Sequence, residues 1–177
     1  MLVTSNPKVN SSTKDLEADL TAAIRGEVRF DAVTRHMYST DASIYQMEPI
    51  GVVIPIDADD VSAILEIASK NGVSVLPRGG GTALSGQTVN HAVVVDFSKY
   101  MFQVQEINKE EKWVRTQPGV TIDDLNRQLR SSGLFFTSDP STSSRANIGG
   151  AVGNNSCGAP SIVYGKTVAH VKELNVV

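Results

Sequence analysis

The segment Leu76-Pro77-Arg78-Gly79-Gly80-Gly81-Thr82-Ala83-Leu84-Ser85-Gly86-Gln87 follows an apolar run, residues 73–76, and carries three consecutive glycines with a fourth at Gly86. Without Cβ atoms such a backbone bends sharply and lets its N–H groups approach a ligand closely. A concave run of N–H groups binds anions, phosphates above all. Pro77 stiffens the entry, and Arg78 brings a permanent positive charge able to face a phosphate or a carboxylate. Together these features point to a diphosphate-bearing cofactor lying on the loop. Two familiar phosphate binders fail at single positions. Residues 81–88, GTALSGQT, follow G-x-x-x-x-G-[KR]-[ST] except that Gln87 replaces the lysine that neutralises the β- and γ-phosphates. Counted from Gly79, Leu84 stands where the dinucleotide fingerprint G-x-G-x-x-G needs its third glycine.

Upstream of the loop, residues 51–56 (GVVIPI) read as a strand, which Pro55 places at a sheet edge or brings to its end. Asp57 is a helix N-cap, Val61, Ile64, Leu65 and Ala68 recur on one helical face, and Gly72 stops the helix. Residues 73–76 form the next strand. Strand, helix, strand is a βαβ unit with parallel strands. The glycine loop leaves the C-terminal end of its second strand, where open α/β sheets place ligands. Residues 92–97 add a further strand. Nearer the N-terminus, residues 13–25 read as a helix with Leu16, Leu20, Ala23 and Ile24 on one face and Gly26 as terminator. Residues 1–12 are polar and expected to fray. Residues 31–48 read as irregular, with Tyr38 and Tyr45 packed and their hydroxyls wet.

Downstream, residues 104–107 and 112–116 flank the charged turn Asn108-Lys109-Glu110-Glu111 and predict a hairpin with Val104, Trp113 and Arg115 as cross-strand partners. Thr121 opens a helix with Asp124 at the capping-box position, Leu125 and Leu129 inward, and Gly133 at its end. Residues 168–177 read as a strand begun and then cut, so the chain is expected to be a fragment of something longer.

The chain has 177 residues, 41% hydrophobic and 20% charged, enough for one soluble domain with a core. A net charge of -3 argues against a nucleic-acid surface or a polybasic membrane patch. No apolar run reaches the roughly 20 residues of a membrane span, and the N-terminus lacks a secretory apolar region. One cysteine, Cys157, excludes an internal disulfide and suits a reducing compartment. His36, His91 and His170 are scattered, with no metal-ligand spacing.

A second glycine cluster lies in residues 139–158, DPSTSSRANIGGAVGNNSCG, rich in small donors and acceptors that suit a large polar heterocycle. Ile148 and Val152, four apart, can dock as a short helical turn, which a disordered linker would not offer. Cys157 reads as a small residue in a crowded loop, since no histidine stands near it in sequence.

Taken as an ordered set, Pro77-Arg78-Gly79-Gly80-Gly81-Thr82 with Ser85-Gly86-Gln87, Gln117-Pro118-Gly119-Val120, Asp139-Pro140-Ser141-Thr142 with Asn147-Ile148-Gly149-Gly150 and Asn154-Asn155-Ser156-Cys157-Gly158, and Tyr164-Gly165-Lys166-Thr167 resemble the FAD-linked oxidase family. Its fold is that of vanillyl-alcohol oxidase and p-cresol methylhydroxylase. The chain looks most like the branch of D-lactate, glycolate and D-2-hydroxyglutarate dehydrogenases. Residues 38–49, YSTDASIYQMEP, are similar to large members fused to an iron–sulfur module. The resemblance implies that Pro77, Arg78, Gly79, Gly80, Gly81, Thr82, Ser85, Gly86 and Gln87 wrap the FAD pyrophosphate. It implies that Pro118 and Gly119 turn beside the cofactor, and that Pro140, Ser141, Thr142, Gly149, Gly150, Asn154, Asn155 and Gly158 lie along the flavin and its ribityl chain. Tyr164 and Gly165 match a later contact. Relatives with covalent flavin carry a histidine in the first loop. This chain has Gly81-Thr82 there, so FAD is expected to be noncovalent.

The fold expected from the resemblance is α+β: a truncated, two-lobed PCMH-type FAD-binding domain with a βαβ first lobe and a mixed-sheet second lobe. The expected boundaries are 1–34 for an N-terminal extension with one helix, 35–99 for the first lobe and 100–177 for an incomplete second lobe. The expected function is the FAD-binding portion of a flavin-dependent dehydrogenase or oxidase acting on a small D-2-hydroxy acid by hydride transfer to FAD. The portion alone is expected to be inactive, because the cap and the catalytic half, with an optional iron–sulfur cluster, would lie elsewhere. Expected partners are the hydroxy acid and an electron acceptor, with no nucleic acid and no transmembrane segment. The expected location is the cytoplasm, with peripheral attachment to the inner face of a membrane through another part as a variant. The alternatives are an alcohol or sugar oxidase of the same fold and a non-enzymatic nucleotide-binding module.

Overall fold

The structure, a computed structural model, describes residues 12–177. The fraying expected of the first twelve residues therefore lies outside the described residues except at Ser12, which caps a helix. Helix α1 (Thr13–Ala23) begins with a capping box, Ser12 Oγ accepting from the Asp15 N–H and the Asp15 carboxylate accepting from the Ser12 N–H. It buries Leu16 and Leu20 completely. Gly26 does not terminate it: the chain is already extended at Ile24. Gly26 is required elsewhere, because a Cβ there would strike the Ile54 carbonyl.

Strand β1 (Glu27–Arg29) and helix α2 (Ala32–Met37, capped by Asp31) follow, the latter inside the segment expected to be irregular. Six residues are too few to display an apolar period, so only the cap, Asp31 accepting from the Thr34 N–H at 2.9 Å, signals the helix. Strand β2 (Gly51–Ile54), helix α3 (Ala58–Lys70) and strand β3 (Val75–Arg78) form the βαβ unit, with Asp57 capping α3 and Gly72 (φ 63°) ending it. Strand β4 (Val93–Asp96) inserts between β2 and β3, parallel to both, and β1 adds antiparallel to β2, so the order is β1-β2-β4-β3. Pro55 sits just past the end of interior strand β2, while Pro77 is tolerated within edge strand β3.

Strands β2 and β4 are buried on both faces and read as unbroken valine-rich runs. Val53, Val93 and Val95 point toward Leu16 and Leu20 of α1, Ile24 just past it and Ile64 of α3. Val52, Ile54 and Val94 point the other way, toward Tyr38 and Leu76. Thus α1 and β1, expected as an extension, belong to the packing of the first sheet. Asp60 locks them in: its buried carboxylate accepts from the N–H groups of Arg25, Gly26 and Ile56 at 2.9–3.0 Å.

The second sheet is the expected hairpin, β5 (Val104–Asn108) and β6 (Trp113–Thr116), antiparallel with an irregularity between Val104 and Glu106. Val104 pairs with Thr116, Glu106 with Arg115 and Asn108 with Trp113. The four-stranded sheet thus mixes parallel and antiparallel pairing, and the two-stranded sheet is antiparallel. Helix α4 (Ile122–Leu129) runs from its Thr121 cap and continues as a 3-10 turn, Arg130–Ser132, into left-handed Gly133. It buries Leu125 and Leu129 against Val104, Val114 and Phe136. The long loop holds helix α5 (Ile148–Gly153), at the place the Ile148/Val152 spacing suggested, and helix α6 (Ser161–Tyr164) follows. Residues 168–177 are not a strand: Thr167–His170 is a 3-10 turn and the rest pairs with neither sheet among the described residues.

Asp60→Ala leaves three backbone donors without an acceptor and is expected to cost about 2–4 kcal/mol of unfolding free energy, measured by chemical denaturation. Glu27 supplies a pH signature. Hydrogen bonds from Lys99, Tyr100 and Arg29 hold its carboxyl down to about 2 from an ordinary 4.5. A depressed pKa means its stabilisation is complete above pH 4.5 and lost as pH falls toward 2. Glu27→Gln should therefore be less stable than the parent at neutral pH, with the difference closing over that window in acid titrations of the melting temperature.

Candidate functional site

The glycine loop leaves β3 at Arg78, beside Asp96 at the same end of the parallel strand β4. Its first two glycines are demanded by protein, not by open space. A Cβ on Gly79 would meet Asn147 Oδ1, and one on Gly80 would meet the Arg145 carbonyl oxygen. The Gly80 N–H donates to Asn147 Oδ1 at 2.5 Å, and Asn147 Nδ2 donates to the Gly119 carbonyl at 2.6 Å. One partner can only donate and the other only accept, which fixes the orientation of the amide. Asn147 is 4% exposed. The Ile148 and Gly149 N–H groups donate to the carbonyls of Val120 and Pro118, both at 2.8 Å. Gly149 also lets α5 lie against Pro118, whose Cβ a side chain would meet at 2.7 Å. The structure therefore brings Gly79, Gly80, Pro118, Gly119 and Gly149 together around one buried amide.

Beyond this seam the loop is open. Among the described residues no protein acceptor meets the N–H groups of Gly81, Thr82, Ala83 or Leu84. A consecutive run of donors with no paired acceptor suits an anionic group such as a pyrophosphate. On α5, a Cβ at Gly150 or Gly153 would meet nothing within 4 Å. Two helical glycines without a packing reason weaken a helix that alanine would strengthen, and they leave room for a ligand to lie close to the backbone. The donor set and this cleared surface fit a dinucleotide-sized cofactor.

Arg78 is placed differently from the expectation that it faces a phosphate. Nη1 donates to the carbonyls of Tyr38 (3.1 Å) and Thr88 (2.9 Å), and Nη2 to that of Thr40 (2.7 Å). The guanidinium also lies 5.2 Å from the Tyr38 ring centroid, and burial lowers its pKa from the ordinary value. Tyr38 donates to Asp96 Oδ2 at 2.5 Å; burial and that carboxylate raise its phenol pKa. So the Tyr38 hydroxyl, expected to be wet, is bonded to protein. Gly81 and Gly86 have φ of 63° and 76°. A side chain on Gly86 would also meet the Tyr45 ring at 2.7 Å. Gln87 accepts from the Ser85 N–H, closing the loop on itself.

A second knot forms around Ser156, whose carbonyl accepts from Ser138 Oγ, the Thr167 N–H and Thr167 Oγ1. Asn155, left-handed at φ 46°, accepts from the Val168 N–H at 3.0 Å, and Asn154 caps the end of α5. Gly158 passes so close to the Asp139 carbonyl that a side chain has no room. Pro140, Ser141 and Thr142 lie in a turned segment, where the Pro140 and Thr142 carbonyls accept from Ser143 and from Arg145 and Ala146. The Tyr164 ring meets Phe135 edge-on at 5.7 Å, and Gly165 turns with φ 86°. Cys157 is exposed, and no metal-binding group of three His, Cys, Asp or Glu side chains exists among the described residues. Asn147 is the residue of the site that its sequence position marks least. Its signal was an asparagine just before a helical Ile-Gly-Gly, where a cap is expected; its side chain instead reaches across two loops.

Asn147→Asp keeps an acceptor for Gly80 and sets a carboxylate against the Gly119 carbonyl. It is expected to cost about 2–3 kcal/mol in urea unfolding. Asn147→Ala should also unfold earlier, since it leaves both backbone groups without a partner.

The FAD binding domain family matches residues 49–177. The D-2-hydroxyglutarate dehydrogenase of Pseudomonas putida is 44% identical over 165 residues, 92% of this chain and 16% of that protein. The glycolate oxidase subunit GlcD of Bacillus subtilis is 38% identical over 169 residues, 93% of this chain and 36% of that one. The crystal structure of p-cresol methylhydroxylase with substrate bound superposes with a TM-score of 0.73 at 16% identity, over 84% of this chain and 31% of that one. This last likeness establishes the α+β PCMH-type fold. The chain thus spans about a sixth to a third of the length of the proteins it matches. Both glycine loops and the Asn147 seam fall inside the matched residues, and the chain belongs to the FAD binding domain family.

Proposed function

We propose that this chain is the FAD-binding part of a flavin-dependent dehydrogenase that oxidises a small D-2-hydroxy acid of the D-2-hydroxyglutarate, D-lactate or glycolate type. The observation that carries the reading is the run of free donors at residues 81–84, joined through Asn147 to a second glycine-rich loop. The 44% identity to a protein named D-2-hydroxyglutarate dehydrogenase supports the substrate class. When bound, FAD supplies the two-electron acceptor for oxidation of the hydroxyl-bearing carbon. The chain's own task is to hold and orient it. The N–H groups of residues 81–84, with Thr82 and Ser85, hold the pyrophosphate. Pro118 and Gly119 form the floor between the loops. Gly150 marks the approach of the cofactor to α5, and Ser141, Thr142 and Asn155 provide polar contacts. No histidine stands in the first loop, so the cofactor is held without a covalent tether there. The two lobes divide near residue 100, with the cofactor between them. Electrons leave to a separate acceptor, and the protein works in the cytoplasm. No described helix is long and apolar enough to cross a membrane.

Gly150→Ala separates cofactor contact from folding. It should leave the cofactor-free chain as stable or about 0.5–1 kcal/mol more stable, as alanine for glycine in a helix does. It should also weaken FAD binding in a flavin-fluorescence titration. Unchanged affinity would remove Gly150 from the site. For the substrate class, anaerobic addition of D-2-hydroxyglutarate, D-lactate or glycolate to the full-length flavoprotein should bleach the flavin absorbance. Bleaching by sugars or simple alcohols alone would favour an alcohol or sugar oxidase instead.

A further inference from the structure

Residues 38–47 form a small hairpin that the function above does not use. Thr40 bridges to Gln46, the Met47 N–H donates to the Ser39 carbonyl at 2.8 Å, and buried Ser39 Oγ accepts from Gln46 Nε2 at 3.2 Å. The hairpin lies along the first glycine loop and grips it at several heights. At the loop's start, Arg78 reaches back to the Tyr38 and Thr40 carbonyls. In the middle, the Ala42 N–H donates to the Gly81 carbonyl at 3.0 Å. Toward its end, the Tyr45 ring occupies the space beside Gly86. Just past the end, Asp41 Oδ2 accepts from Thr88 Oγ1 at 2.8 Å, and the Thr88 carbonyl accepts from Arg78. Tyr38 anchors the hairpin to the sheet through Asp96.

We propose that residues 38–47 are a positioning strap for the phosphate-binding loop. Arg78, Asp41 and Thr88 set the loop's shape, and Arg78 serves the ligand through that shape, not as a counter-charge to phosphate. The proposal rests on the reading that a pyrophosphate lies on residues 81–84. Consecutive glycines give the free loop many conformations, each of which must be surrendered on binding. Affinity is divided by the fraction of time the loop is in its binding shape, so ties at both ends of the loop raise affinity without touching the ligand. Arg78 suits this task because its planar fork serves three carbonyls from two separate nitrogens; the donors of lysine all leave one atom and lack that span.

The experiment pairs two measurements on Arg78→Lys, Arg78→Met, Asp41→Asn, Thr88→Val and Thr88→Ser. Amide hydrogen exchange of the cofactor-free chain reads the strap by itself. Exchange over residues 79–88, read at the hydrogen-bonded amides of Gly80, Ser85 and Thr88, should accelerate in every variant except Thr88→Ser, which keeps the hydroxyl, while β2 and β4 stay protected. FAD titrations across a KCl series read the consequence. Arg78→Lys and Arg78→Met should weaken FAD about equally, on the order of tenfold if the shaped fraction falls to about a tenth, with the salt dependence of the parent retained. Near-parental FAD affinity in Arg78→Lys, with lost affinity and a flattened salt dependence in Arg78→Met, would overturn the proposal in favour of direct charge contact. So would unchanged exchange over residues 79–88 in all variants. If the Arg78 variants do not fold, Asp41→Asn and Thr88→Val decide by the same readings. If the full-length protein binds no FAD, the function proposed above fails, and the exchange data still decide whether the strap holds the loop.

Discussion

A single buried carboxamide holds the candidate site together. Asn147 takes a hydrogen bond from the Gly80 backbone and gives one to the Gly119 backbone. It thereby joins a loop of the parallel sheet, a turn after the hairpin and the start of α5. Among the described residues neither backbone group has an alternative partner, so the amide is worth more than one ordinary hydrogen bond. Around it the geometry is tight enough that Gly79 and Gly80 have no room for side chains. The consequence is a division of labour within the triple glycine. The first two permit loop-on-loop packing, and residues 81–84 present a consecutive run of backbone donors with no acceptor among the described residues. The fold contributes the placement: the loop emerges where strands β3 and β4 end, the edge at which parallel sheets leave backbone groups free for ligands.

What was legible in the sequence was what short-range chemistry dictates. Asp57 and Gly72 bracket α3, and Thr121 and Gly133 bracket α4 with its 3-10 extension, because caps and left-handed turns are local decisions. The apolar runs around β2 and β4 announced strands; that both are buried on both faces shows only in the packing. The order of those strands was not legible, since nothing local shows that β4 inserts between β2 and β3. Strand β1 and helix α2 were missed for the opposite reason: three and six residues are too few for periodicity to show. Residues 168–177 carry valines, yet a strand needs a partner edge, and neither sheet gives them one.

At the site, the glycines were legible and their reasons were not. A glycine that a ligand needs and a glycine that a neighbouring loop needs look the same in a sequence; only the space around each Cβ tells Gly80 from Gly150. Arg78 shows the same ambiguity for charge. A guanidinium beside a phosphate loop invites an ionic reading, but three carbonyls from segments on either side of the loop satisfy it instead.

The seam at Asn147 also constrains how the family can drift. Positions 79, 80, 145 and 147 share one small volume and one pair of hydrogen bonds, although some 65 residues separate them along the chain. A substitution at 79, 80 or 147 is tolerated only if another changes in step, whereas position 145 contributes its backbone carbonyl alone. Relatives that keep both leading glycines should keep a short carboxamide or an equivalent at the position of Asn147, and relatives that have lost one should show a coordinated change across the seam. The two loops are then inherited as one unit, and a graft that transplants the glycine loop alone carries half of a joint.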